Sequence, residues 1–347
     1  MRMRKFILAV VAMITPGAPA FAWDAQGHEI VGAIADRMLN ANAKQHVQHH
    51  LGFSLQIAAP WPDCVRSIVR NDNGKFNYLP SPFNPEYRIP CKPFEADDEV
   101  TKKKEEIARM EDYASRNWIN CSYIPTMIGQ CHAAYHFADV SILKDGYDRR
   151  YVGTSDHDVV SAINAAILVL QDRPAPPPFS IKDKKEALFL LAHFVGDLHQ
   201  PLHVGGVYLK ANGDRVDPDE KGLDPSTETQ GGNKIKDGKR NLHSDWDEIP
   251  EAWGVTPGAA LLAEARGIPS TPGPIKDWAA SWASDTVKAA QIALNDKAVT
   301  FFGDPPHGWT VAFADRQKYE MDAQQIKFKQ LAKGGARLAQ LLNEIWK

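Results

Sequence analysis

The stretch AHFVGDLHQPLH (192–203) puts a histidine and an aspartate four residues apart in the most apolar part of the chain. On a helix that step places His193 and Asp197 on one face, one turn apart. A carboxylate buried there costs several kcal/mol unless it is paired or bound to a cation. Pro201 ends the helix and lets His203 turn back toward the same place. The segment HSDWD (243–247) repeats the spacing with His243 and Asp247. Imidazole nitrogen together with carboxylate oxygen is a donor set that suits zinc. His28, Asp63 in WPDCVR and His136 in YHFAD are further candidate ligands. One helical His-x-x-x-Asp pair is more often a plain hydrogen-bonding pair; two pairs, one of them in a buried helix, shift that balance toward a metal. His46, His49 and His50 read as solvated, His157 as an exposed helix start, His307 as a loop residue, and His132 as a neighbour of His136 rather than a ligand.

The elements that must hold these residues are mostly helical. Ile30, Ile34 and Met38 share a face of a helix over 28–39. Ser155 is placed to cap a helix that runs to Leu170, and the proline-rich DRPAPPP ends it. Residues 184–198 are apolar nearly all round, as in a buried helix. Trp278, Trp282 and Thr286 step along another helix, and 316–346 reads as one long or broken helix. Residues 71–95 are rich in proline and asparagine and read as loop. Residues 205–240 are rich in glycine and charge, with 207–209 and 233–235 as the strands of a possible small hairpin. The expected architecture is all-α: a single mostly helical domain over 23–347, with a loop-rich insert at about 71–135 and a long loop at about 205–240.

Residues 1–22 are not read as fold. Arg2, Arg4 and Lys5 precede an apolar run, and Ala20-Phe21-Ala22 is a small-x-small cleavage site, the layout of a secretory signal peptide. Cleavage after Ala22 would make Trp23 the new N-terminus of a secreted or periplasmic protein with no membrane anchor. The formal charge is −3, and losing the leader's three cations makes the chain more acidic still. A nucleic-acid binder usually shows a basic surplus, so charge argues mildly against that partner unless bound divalent cations reverse the sign locally. Cys64, Cys91, Cys121 and Cys131 form no CxxC pair and read as two disulfides of open connectivity. A link tying Cys64 into the insert is preferred.

Taken together, the motifs resemble the S1/P1 nuclease family of zinc-dependent nucleases that cut single-stranded DNA and RNA. The likeness runs through WDAQGH (23–28), WPDCVR (61–66), YHFAD (135–139), HFVGDLHQPLH (193–203), GGNKI (231–235), NLHSDWD (241–247) and AKGGARLAQLLNEI (332–345), in family order. The resemblance implies the helical phospholipase C/P1 nuclease type of fold and three zinc ions. One would be held by Asp63, His136, His193 and Asp197. A second would take the Trp23 amino group and carbonyl, His28 and a bridging Asp197. A third would take His203, His243 and Asp247. Arg66 matches the family's transition-state arginine beside Asp63, and Phe137 with Asp139 matches a base pocket. The implied reaction is endonucleolytic hydrolysis to 5′-phosphate products, with a 3′-nucleotidase component left open, by a monomer acting on single-stranded DNA or RNA. The stretch between Asp63 and His136 is far longer than in the fungal members, and Lys210, Arg215 and Lys234 would edge the cleft. His199 is assigned no role.

Two rivals stand beside this expectation. A zinc-dependent phospholipase C shares the scaffold and the N-terminal tryptophan. The five-residue step from Trp23 to His28 and an aspartate at 247, where phospholipases use glutamate, favour the nuclease. A non-catalytic exported zinc-binding protein would need the ligands but neither Arg66 nor the Phe137–Asp139 pair.

Overall fold

The structure, a computed structural model, describes residues 23–79, 85–95, 100–118, 131–303 and 308–347. The expected leader over 1–22, Cys121 and His307 lie outside the described residues. Asp24 caps the first helix, α1 (Ala25–Met38), its carboxylate accepting the Gly27 N–H at 2.9 Å and so satisfying one of the helix's orphan amides. Asn40 caps α2 (Ala41–Leu51), and two short helices, α3 (Leu55–Ala58) and α4 (Trp61–Val65), follow.

The insert is more ordered than expected. Strands β1 (Ile68–Arg70) and β2 (Phe76–Tyr78) form an antiparallel hairpin, and helices α5 (Pro85–Glu95) and α6 (Val100–Arg116) come after it. The loop expected over 71–95 is therefore corrected in part to strand and helix. Pro90 and Pro93 inside α5 argue against a helix locally. Tertiary ties override them: Cys91 is bonded to Cys64 of α4, and Phe94 is fully buried. From α6, Arg116 donates to Glu186 at 2.7 Å and Arg109 to Asp183 at 2.7 Å. Glu106 is buried and pairs with Lys185.

The chain continues through α7 (Cys131–Ala134), β3 (Val140–Ser141) and α8 (Val159–Leu170). Asp158, not Ser155, caps α8, its carboxylate accepting the Ser161 N–H at 2.9 Å. Helix α9 (Lys184–Asp197) starts on Asp183 and is buried on every face from Glu186 onward. Helix α10 (Pro201–Val204) leads into β4 (Gly205–Gly206), β5 (Tyr208–Leu209), β6 (Arg215–Val216) and α11 (Pro218–Lys221). Next come β7 (Ile235–Asp237), β8 (Arg240–Asn241), α12 (Leu242–Asp247), α13 (Ala259–Arg266) and α14 (Trp278–Ala293). Strands β9 (Val299–Gly303) and β10 (Trp309–Phe313) precede the last helix, α15 (Arg316–Ile345).

The small hairpin expected between 207–209 and 233–235 does not form. β5 pairs with β6 across the tight Asn212-Gly213 turn. β7 instead joins a four-stranded sheet in the order β8-β7-β10-β9, running parallel to β10 with Ile235 opposite Trp309. The mostly helical class holds, with this small sheet added.

Among the described residues, two apolar clusters organise the molecule. The larger surrounds α9 and takes in α1, α8, α14 and α15. The smaller, with Leu202, Leu242, Trp246, Phe301 and Trp309, lies under the four-stranded sheet. α1 and α15 approach closely where α15 carries the Gly-Gly pair: a Cβ on Gly335 would stand 2.4 Å from the Ile34 Cβ. Among the described residues no helix is long and apolar enough to cross a membrane.

Candidate metal centre

Five candidate ligands come together from four segments of the chain. His28 faces inward from α1, Asp63 from α4, His136 from the strap after α7, and His193 and Asp197 from one face of α9. Asp197 sits at the middle: its oxygens lie 3.3 Å from His28 Nε2, 3.0 Å from His136 Nδ1 and 3.2 Å from His193 Nε2. Asp63 Oδ1 is 3.7 Å from His193 Nε2. The His28 and His193 rings stack at 3.7 Å. These residues fall into two overlapping groups sharing His193: His28, Asp63 and His193, and His136, His193 and Asp197.

A separate group lies at α10 and α12. His203 Nε2 and His243 Nε2 are 3.1 Å apart, and Asp247 Oδ2 is 3.5 Å from His243 Nε2. Each group's ligand atoms lie within 4.8 Å of one another.

The surroundings orient these rings for a cation. His193, His203 and His243 each donate from Nδ1 to a main-chain carbonyl, of Ala59 at 2.8 Å, His136 at 2.9 Å and Gly231 at 2.7 Å. That bond fixes the neutral tautomer and turns the Nε2 lone pair toward the cluster, as metal-ligating histidines require. Both His28 ring nitrogens, Asp63 Oδ1 and Asp197 Oδ1 are buried without a hydrogen-bond partner, which leaves polar atoms that a cation would satisfy.

Electrostatics agree. Burial pushes His28 down to about 4, with His193 adding to the effect and Asp197 opposing it. His136 and His193 also lie below the ordinary histidine range, burial being the first cause in each. Burial pushes Asp197 up to about 7 and Asp247 well above the usual carboxylate range. The protein alone thus disfavours ionised carboxylates here, and a divalent cation restores them.

Every side chain named from the sequence as a ligand falls in one of these groups. Trp23 is present through its side chain: the buried indole donates from Nε1 to the Gly196 carbonyl at 2.9 Å, next to Asp197. Arg66 is mostly buried, with Nη1 3.7 Å from Asp63 Oδ1. Phe137 is half-buried, whereas Asp139 is only 4% exposed. His132 is buried but outside the three groups, and His199 is taken up structurally, receiving Arg337 Nη1 on Nε2 at 2.9 Å. His157 is buried against Asp156 rather than exposed. Arg215 turns away to the Val299 carbonyl, while Lys210 and Lys234 are exposed.

Two supporting residues escaped the sequence reading. Gln200 is buried and donates to Asp247 Oδ1 at 2.6 Å; its place inside DLHQPLH was the available signal. Lys327 of α15 donates to the carbonyls of Asp245 and Glu248 at 2.6 and 2.7 Å, pinning the end of α12. Nothing local to Lys327 in sequence points to α12.

Residues 124–347 match the S1/P1 nuclease family, well over half of the chain. This chain belongs to the S1/P1 nuclease family. It is also 27% identical over 234 residues to Endonuclease 3 of Arabidopsis thaliana, covering 62% of this chain and 70% of that protein. His28 and Asp63 lie before the matched span, yet the fold delivers both to the same cluster as His193. The S1/P1 nuclease assignment makes the protein a zinc-dependent hydrolase acting on nucleic acids, and its three His/Asp clusters fit a trinuclear zinc centre.

Proposed function

We propose that the protein is an exported endonuclease that hydrolyses single-stranded DNA and RNA to 5′-phosphate products. The observation that carries this reading is the buried cluster of His28, Asp63, His136, His193 and Asp197 with Arg66 beside it. The relative named Endonuclease 3 supports internal cleavage.

In this reading Asp63, His136, His193 and Asp197 hold one zinc, Trp23, His28 and Asp197 the second, and His203, His243 and Asp247 the third. Bound zinc lowers the pKa of water toward neutrality and draws charge from a phosphodiester. The protein's own groups do the rest. Asp63 and Asp197 supply the negative charge that keeps the cations together, and the carbonyls of Ala59, His136 and Gly231 hold the imidazoles in register. Arg66, fixed near Asp63, offers its guanidinium to the phosphoryl oxygens as their charge grows. Phe137 stacks on a base and Asp139 takes its edge. Such a pocket accepts only an unstacked base, which accounts for the single-strand preference. The same chemistry reaches 3′-phosphomonoesters.

Cleavage after Ala22 belongs to this reading, since an α-amino group with a reference pKa of about 7.7–8.0 ligates far more readily than a lysine. The test uses protein that begins at Trp23. Circular single-stranded DNA, RNA, duplex DNA and phosphatidylcholine are compared, with the product ends mapped. Linearised circles bearing 5′-phosphates are expected. Faster lipid hydrolysis, or a zinc-loaded protein inert on all nucleic acids, sinks the reading. One extra residue before Trp23 is expected to weaken the second zinc's site, and full activity with it would remove Trp23 from the ligand set.

A further inference from the structure

The segment from Asp197 to His203 joins the two parts of the centre, its first residue belonging to the five-residue cluster and its last to the third. It begins at the C-terminal end of α9, where carbonyls run out of helical partners. The His199 N–H turns to the Gly196 carbonyl at 2.9 Å instead of continuing the helix. The Val195 carbonyl is taken by the His199 ring, whose Nδ1 lies 2.6 Å from it. The Gly196 carbonyl also accepts the Trp23 indole, and the Asp197 carbonyl accepts the Gln200 N–H at 2.9 Å.

His199 is fully buried, and its other nitrogen is held from outside the turn. Arg337 of α15 places Nη1 2.9 Å from Nε2. A guanidinium keeps its charge, donates and never accepts. Nε2 is therefore the acceptor, and the ring proton sits on Nδ1, the nitrogen facing the Val195 carbonyl. Arg337 is itself fixed: Nη2 donates to Asp285 of α14 at 2.9 Å, and Cζ lies 5.8 Å from the centre of the Trp282 ring. The same Asp285 oxygen accepts Lys333 at 2.7 Å. Neither His199 nor Arg337 is a member of the three clusters.

We propose that His199 and Arg337 are a positioning pair that holds Asp197 and His203 in register across the zinc centre. Arg337 selects the tautomer of His199, and the ring then locks the last turn of α9 to α14 and α15. Asp197 lies inside the locked turn, and His203 ends the segment that the turn starts. The proposal rests on the zinc reading of both parts. Groups that orient metal ligands without touching the metal typically change its affinity 10–100-fold. Acting through main chain, the pair is expected at the lower end of that range, at both parts together.

Glutamine separates positioning from the filling of space. Its amide offers an N–H and a carbonyl in place of the two ring nitrogens, whereas leucine offers neither. Wild type, His199→Gln, His199→Leu and Arg337→Met are loaded with zinc and titrated with a chelator of known zinc affinity. The same preparations are assayed for kcat and KM on single-stranded DNA. The leucine form is expected to release zinc from both parts roughly tenfold more readily, with kcat falling and KM unchanged. Arg337→Met leaves Asp285 its Lys333 partner, so the fold should survive, and the same pattern is expected. The glutamine form should hold zinc as wild type does. Heteronuclear NMR of the imidazole nitrogens reads the tautomer directly, the His199 signals being those missing from the glutamine form. A proton on Nδ1 is expected in wild type, and one on Nε2 overturns the proposal. Wild-type zinc affinity in both the leucine and methionine forms overturns it too, as does a loss confined to one part. A glutamine form as leaky as the leucine form has the same consequence. Wild-type protein that takes up no zinc defeats the zinc reading itself, and that is seen before any substitution is made.

Discussion

The Nδ1 of His203 lies 2.9 Å from the carbonyl oxygen of His136, and the His203 carbonyl accepts the Ala138 N–H at 2.7 Å. Residue 136 thus serves both parts of the centre, giving its ring to the five-residue cluster and its main chain to the third. The two parts are separate in their ligands but share a piece of backbone.

Because the contact to His203 is made by main chain, His136→Ala should empty one part and spare the other. Zinc is expected to be lost from the cluster around Asp197 and kept by His203, His243 and Asp247. Activity should fall at least about a hundredfold, since even outer partners of a metal are worth 10–100-fold. Metal analysis beside kinetics checks this; equal loss from both parts would contradict it.

Asp63 directly precedes Cys64, whose disulfide to Cys91 closes a loop of 27 residues between α4 and α5. A loop of that size is worth about 3 kcal/mol through restriction of the unfolded chain. The double variant Cys64→Ala/Cys91→Ala should therefore unfold at lower temperature. It should also release zinc from the Asp63 cluster before the third. Thermal melting and chelator titration read the two effects, and a variant unchanged in both refutes the link.

Zinc uptake should release protons, and the sign follows from the carboxylates. Asp197 titrates at about 7 in the metal-free protein, so at pH 6 it is mostly protonated and must lose its proton to become a ligand. His28, at about 4, is already neutral there and contributes none. Calorimetry at pH 6 in buffers of different ionisation enthalpy should show net proton release, shrinking as the pH rises past 7. Proton uptake on binding would be the wrong sign.

The zinc-free protein should lose stability in acid through histidines outside the ligand set. Burial pushes His132 and His199 down to about 3, with Arg66 and Arg337 respectively adding to it. Between about 6.5 and 3 the unfolded chain binds protons at these sites and the folded chain does not. Stability is full above about 6.5, falls through that window and reaches its floor near 3. Each site contributes up to about 1.4 kcal/mol per pH unit. Urea unfolding of the chelated protein should show this slope, and His199→Gln should flatten it.

Much of the site was legible because its residues lie in segments with strong local periodicity. His193 and Asp197 announce a shared face by their four-residue step, and the buried helix around them by its unbroken apolar run. The third group was legible for the same reason, with His243 and Asp247 one turn apart. What failed was decided by distant contacts. Pro90 and Pro93 spoke for a loop, but the bond from Cys91 to Cys64 and the burial of Phe94 hold α5. The strand over 235–237 found its neighbour at 309–313, a parallel pairing that no local turn signals. The β9–β10 hairpin was missed even though its buried residues, Val299, Phe301, Trp309 and Val311, alternate. Ser155 and Asp158 compete as caps within one turn, and the carboxylate, accepting both the Ser161 and Ser155 amides, wins.

The close seating of α1 against the Gly-Gly step of α15 has a consequence for the order in which the molecule is made. Ile34 packs directly against Gly335, and Asp24 closes onto the Asp247 carbonyl and the Ile249 amide. A chain leaving the ribosome from its first residue therefore carries His28 unseated until nearly the last turn has emerged. Contacts of such sequence separation form late and slowly. Complete metal loading becomes an event of the finished chain, and a protein cut short within its final helix would forfeit a ligand more than three hundred residues away.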